Sequence, residues 1–174
     1  YLNKAGRQAE NSAGMYNMPD GEVFTSAVED KSEGFITYSY PALYMGKEFR
    51  NVRLEFKKGR VVRASADKNE IDLNKILDID RGARTIGELG IGNNFAIKRF
   101  TKDILFDEKI GGSIHLALGQ GYKETGSKNI SALHWDMIKD LRMSAYDKSS
   151  ARQGGELWFD DKLVQKNGRW LIKI

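Results

Sequence analysis

The chain has 174 residues and a mild net charge of +4, from 28 Lys and Arg against 24 Asp and Glu. It contains no cysteine, which excludes disulfides, thiolate metal sites and cysteine nucleophiles. A hydrophobic share of 40% fits a folded chain with a core, and no apolar run approaches the roughly 18 residues of a membrane span.

The start is polar and reads as no signal peptide. It begins at Tyr1 rather than Met, as a processed chain, a fragment or a domain would. Pro19-Asp20-Gly21 predicts a turn, because Pro presets φ and Gly permits positive φ. Strands follow over Glu22–Val28 and Glu33–Tyr40, both rich in β-branched and aromatic residues. A β-hairpin is expected over Phe49–Phe56 and Arg60–Ala66, around Lys57-Lys58-Gly59. In its first arm Val52, Leu54 and Phe56 share a face; Phe49 is out of phase, which a bulge near Asn51 would absorb. The Arg and Lys of 50–63 are most simply a solvated strand face, so nucleic acid is not expected as a partner.

Asp67–Asp78 predicts a helix capped by Asp67 or Asn69. Ala83–Ile91 predicts a short strand broken by glycines. Thr101–Lys109 predicts a short helix with Thr101 as cap. Gly112–Leu118 predicts a strand, and Leu133–Leu141 either a strand or the start of a helix. Met143–Gln153 is polar and reads as a soft insert. Glu156–Val164 and Arg169–Ile174 predict a terminal hairpin across Lys166-Asn167-Gly168. The whole is a β-rich α+β chain with a mixed sheet and few short helices, and no linker divides residues 1–174.

Both histidines of the chain, His115 and His134, lie between Gly111 and Asp140. His134 opens an H-x-D triplet. On a strand, residues two apart point to one face, so His134 and Asp136 stand side by side, as two metal ligands, a base and its orienter, or a structural pair. His115 sits among apolar residues, as a core histidine or a ligand, just before the Gly-rich loop GQGYKETG. Tyr122 in that loop offers a metal ligand or a proton donor to an oxyanion, and Glu124 a base. Glu22 and Glu88 each follow a glycine at a strand entrance, and acids within apolar strands are costly unless paired or metal-bound. Two Gly-Glu entries, two histidines and the H-x-D triplet form a plausible dinuclear set. A P-loop, a G-x-S-x-G elbow and an H-E-x-x-H motif are absent.

The blocks NMPDGEVFTS (17–26), ARTIGELGIGNN (83–94), FTKDILFDEKIGGSIHLALGQGYKETGSKN (100–129), SALHWDMIKDLR (131–142) and GELWFDDKLVQKNGRW (155–170) resemble, in order, those of the thermophilic aminopeptidase family. These are dinuclear metallo-aminopeptidases of the aminopeptidase T and S type. The resemblance covers only the carboxy-terminal part of the family architecture, as one catalytic domain, with Met143–Arg152 as an insert. It implies metal ligation by Glu22, Glu88, His115, Tyr122, His134 and Asp136. It also implies two divalent ions (Zn, Co or Mg) and removal of amino-terminal residues from peptides by a cytoplasmic homodimer. In such a site Glu88 would bridge the ions, Tyr122 would steady the oxyanion, and Glu124 or Glu108 would carry the proton. The alternative is a fragment without activity, a binding module acting through the 50–63 hairpin with a vestigial metal site.

Overall fold

The computed structural model describes residues 1–143 and 154–172. Apart from Met143, the polar stretch expected as an insert lies outside the described residues. In chain order the elements are β1 (Ala9–Ser12), β2 (Glu22–Thr25), β3 (Gly34–Thr37), β4 (Ala42–Tyr44), β5 (Lys47–Phe49), β6 (Arg53–Lys57), β7 (Arg60–Ser65) and α1 (Glu70–Leu77). They continue with β8 (Ile86–Gly92), α2 (Ile104–Asp107), β9 (Ser113–Gly119), β10 (His134–Asp140), β11 (Glu156–Phe159), β12 (Lys162–Lys166) and β13 (Arg169–Trp170). The molecule is strand-rich α+β. Among the described residues no helix is long and apolar enough to cross a membrane.

Five strands form the central sheet in the order β1-β2-β8-β9-β10, each neighbouring pair antiparallel. Such a sheet can bury one face and give the other to polar groups. Leu116, Leu118, Trp135 and Met137 enter the main core, together with Leu54, Phe56 and Val61 of the β6–β7 hairpin and Leu73 and Leu77 of α1. The opposite face carries acids and imidazoles, flanked by a smaller apolar cluster of Tyr40, Ile97, Ile110 and Ile138.

Several expected elements shift. Phe49 is out of phase with Val52 because the chain changes sheet there, not because it bulges. Phe49 ends β5 and pairs with Ala42 of β4, and Asn51 takes a left-handed φ of 51° before β6 begins. The register shift falls later, between Glu55 and Phe56. Within β6 the alternation holds, with Leu54 and Phe56 buried and Arg53, Glu55 and Lys57 exposed. Helix α1 begins at Glu70, and Asn69 occupies the cap position without a side-chain cap; its amide donates instead to the Glu48 carbonyl at 3.0 Å.

Thr101 does not cap α2. The Asp107 carboxylate accepts from its N–H at 2.8 Å and its hydroxyl at 2.9 Å, and the four-residue helix stops at Asp107. Strand β8 is unbroken despite its glycines, and β10 settles Leu133–Leu141 as a strand. The tail turns twice, at Asp160-Asp161 and at Asn167-Gly168, so the arm expected over Glu156–Val164 is two strands, β11 and β12. The Trp170 indole N–H donates to Asn93 Oδ1 at 2.8 Å and ties this tail to the end of β8.

Candidate metal centre

Cross-strand partners share a face of a sheet. The register sets Glu22 opposite Gly92, His115 opposite both Gly90 and Ile138, Glu88 and Asp136 opposite Ala117, and His134 opposite Gly119. Glu22, Glu88, His115, His134 and Asp136 therefore project from four adjacent strands onto the same face. Two glycines shape this face. A Cβ on Gly90 would lie 2.0 Å from His115 Nε2 and Cε1, so the imidazole fills the space of the missing side chain. Gly87 sits at a register shift, with Ile86 opposite Leu118 and Glu88 opposite Ala117. The bulge re-aims the strand, so that Ile86 faces the core and Glu88 the site although only one residue separates them.

The five side chains meet. His115 Nε2 lies 3.2 Å from Glu22 Oε2 and 3.5 Å from Glu88 Oε1. His134 Nε2 lies 3.4 Å from Glu88 Oε2 and 3.1 Å from Asp136 Oδ2. Glu22, Glu88 and His115 thus form one set of closely spaced ligand atoms, and Glu88, His134 and Asp136 a second; Glu88 belongs to both, one oxygen toward each histidine. His134 Nδ1 lies 2.7 Å from the Gln120 carbonyl. A carbonyl can only accept, so Nδ1 carries a proton, and Nε2 faces the carboxylates, donating to Asp136 when protonated and free to offer its lone pair to a metal ion when not.

The electrostatics of the pocket follow from crowding. Burial disfavours charge on the imidazoles, but Glu88, Asp136 and Glu108 outweigh it and push the His115 pKa up to about 10. The same balance, led on the raising side by Asp136, takes His134 up to about 9. Burial raises Glu88, and it pushes Glu108 up to about 7. Desolvation would raise the largely covered Asp136, but its hydrogen bond with His134 and the nearby cations outweigh it and hold it low. Glu22 Oε2, Asp136 Oδ1 and His115 Nδ1 are buried without a hydrogen bond. Carboxylates packed this tightly, with buried oxygens unpartnered, are expensive unless a cation compensates them. An oxygen and imidazole donor set free of sulfur fits divalent ions such as Zn, Co, Mn or Mg.

Tyr122 joins from the loop after β9. Its ring meets that of His134 edge-on, with centroids 5.3 Å apart, and packs on Phe24 at 5.2 Å. Burial and the surrounding carboxylates raise its pKa, which keeps the phenol protonated. The two glutamates considered for proton transfer separate. Glu108 is buried and forms a third group of potential ligands with His115 and Asp136. Glu124 stands exposed in the turn of the loop and joins none of these groups. Sequence reasoning missed Lys109, which is completely buried and donates to Glu22 Oε1 at 2.7 Å and to the Glu108 carboxylate. No pattern marked it, because a helix drawn through Lys109 leaves it with no reason to point inward.

The family model for thermophilic metalloproteases (M29) matches residues 1–170. The chain belongs to this family. It is 36% identical over 112 residues to aminopeptidase T of Thermus aquaticus, an alignment covering 62% of this chain and 27% of that protein. It is 36% identical over 179 aligned residues to aminopeptidase 2 of Geobacillus stearothermophilus, covering 91% of this chain and 41% of that protein. The solved structure of wild-type AmpT from Thermus thermophilus superposes with a TM-score of 0.77 over 96% of this chain and 45% of its own, at 24% identity, a likeness of fold. The chain thus spans less than half of each of these relatives.

Proposed function

We propose that this chain carries the metal centre of an aminopeptidase, with residues 1–174 as its catalytic unit and peptides with a free amino terminus as substrates. The observation that carries this reading is the position of Glu88, buried between two histidines and common to two sets of ligand atoms. One ion would be held by Glu22, Glu88 and His115, the other by Glu88, His134 and Asp136, with Tyr122 at the rim. Bound there, divalent ions supply a Lewis acid for the scissile carbonyl and a nucleophilic water at neutral pH.

The side chains then divide the remaining work. Gln120 fixes the tautomer of His134. The protonated Tyr122 hydroxyl donates to the carbonyl oxygen as it becomes an oxyanion. Glu108 lies inside the pocket, where burial raises its carboxyl and favours uptake of a proton, so it takes the proton of the attacking water and returns it to the leaving amine. Family membership and the aminopeptidase relatives support the peptidase reading. The β6–β7 face gives no support to a nucleic-acid module, because Glu55 stands opposite Arg63 within it.

The test pairs metal analysis of the dialysed protein with hydrolysis of an aminoacyl-nitroanilide, before and after chelation and on return of Zn, Co or Mg. Two ions per chain and hydrolysis that follows them are expected. Hydrolysis unaffected by chelation, or a protein that retains no ion, would overturn the proposal.

A further inference from the structure

Lys109 has no solvent exposure, and a buried ammonium is costly without compensating partners. It has two. Its Nζ donates to Glu22 Oε1 at 2.7 Å and to Glu108 Oε1. The second oxygen of Glu22, Oε2, points to His115 Nε2 at 3.2 Å and has no hydrogen bond. Glu22 is therefore divided, one oxygen held by the lysine and the other turned to the cluster.

We infer that Lys109 is a positioning residue of the metal centre, fixing Glu22 so that it offers a single oxygen to one ion. The inference rests on the metal reading above. It explains the location of the lysine: β2 begins at Glu22, and the chain after α2 turns inward to bring Lys109 against it. Groups that hydrogen-bond a ligating carboxylate change metal affinity by roughly 10–100-fold when removed.

The test is equilibrium dialysis against graded Co or Zn with metal analysis, alongside melting of the metal-free protein. The wild type is expected to hold two ions. Lys109→Met should hold one at the wild-type level and bind the other about 10–100-fold more weakly. Lys57→Met, which removes an exposed lysine of β6 outside the cluster, should keep both ions. Should Lys109→Met fail to fold, Lys109→Gln is measured instead: weakening of one ion supports the inference, and both ions at wild-type affinity overturn it. Simultaneous loss of both ions together with a lowered melting temperature of the metal-free protein would mark a merely structural lysine and overturn it too. Loss of the same ion in Lys57→Met would make the effect one of net charge and not of position, with the same consequence. A wild type that binds no divalent ion overturns the metal centre itself, and is told apart by that control.

Discussion

A Cβ at position 90 and the His115 ring would occupy one volume, and the glycine leaves it to the imidazole. Adding one methyl there forces the imidazole out of line. Gly90→Ala should cost about 1–3 kcal/mol by overpacking and weaken metal binding, read by urea unfolding and by dialysis against Co. Glu88 and His134 make a sharper comparison. Glu88→Ala removes a group common to both ligand sets and should lose both ions, whereas His134→Ala should lose one, as counted by metal analysis; equal losses would argue against a shared carboxylate. At this scale the sequence was informative where strand parity acts, as for His134 and Asp136, which the i, i+2 spacing already set side by side. It was silent on Lys109, whose inward turn depends on α2 stopping two residues earlier, and on Gly90, whose role exists only once β9 lies beside β8.

At the scale of elements, the edge of the site face is pinned by a buried network. Asp140 at the end of β10 accepts from the Arg142 guanidinium at 2.9 and 3.0 Å and from the Tyr40 hydroxyl at 2.8 Å. Burial alone would raise the Asp140 pKa; these donors outweigh it and hold it below the usual carboxylate range. A lowered folded-state pKa adds stability above the unfolded value of about 3.9, and that stability is lost as pH falls through the folded value. Asp140→Asn should therefore lower stability by roughly 1–3 kcal/mol at pH 7, and the gap from wild type should narrow at pH 3, measured by urea midpoints of the metal-free protein.

The loop that carries Tyr122 is pinned as firmly. Glu29 accepts from Lys128 N–H at 2.7 Å and Ser127 Oγ at 3.2 Å, and Asp80 accepts from Ser131 and Ala132. In the β6–β7 hairpin the alternation of Leu54 and Phe56 was legible, and Leu54→Ala should cost about 2–5 kcal/mol in a thermal or urea melt. The assignment of Phe49 to another sheet was not legible, because a phase slip in a sequence looks the same whether the strand bulges or ends.

For the molecule as a whole, ions bound to ligands from four strands would stabilise the native state alone. At a free concentration 100 times Kd, each ion contributes about 2.7 kcal/mol, so chelation should lower the melting temperature by roughly 5–10 °C per ion lost. The strand-rich α+β architecture was legible from β-branched runs and turn residues; the strand order was not, since β2 pairs with β8 across sixty residues of intervening chain that no local pattern links.

Gly87 has a consequence for how such a site can change. In a pleated strand every side chain inherits its direction from its neighbours, so hydrophobic burial and ligand placement are ordinarily locked to a single count. The extra residue resets that count between Ile86 and Glu88. Substitutions on the core side of it can be selected for packing without rotating the carboxylate; deleting the glycine would leave Ile86 and Glu88 adjacent and still on opposite faces, whereas straightening the strand with Gly87 retained would turn either the carboxylate into the oil or the isoleucine into the pocket.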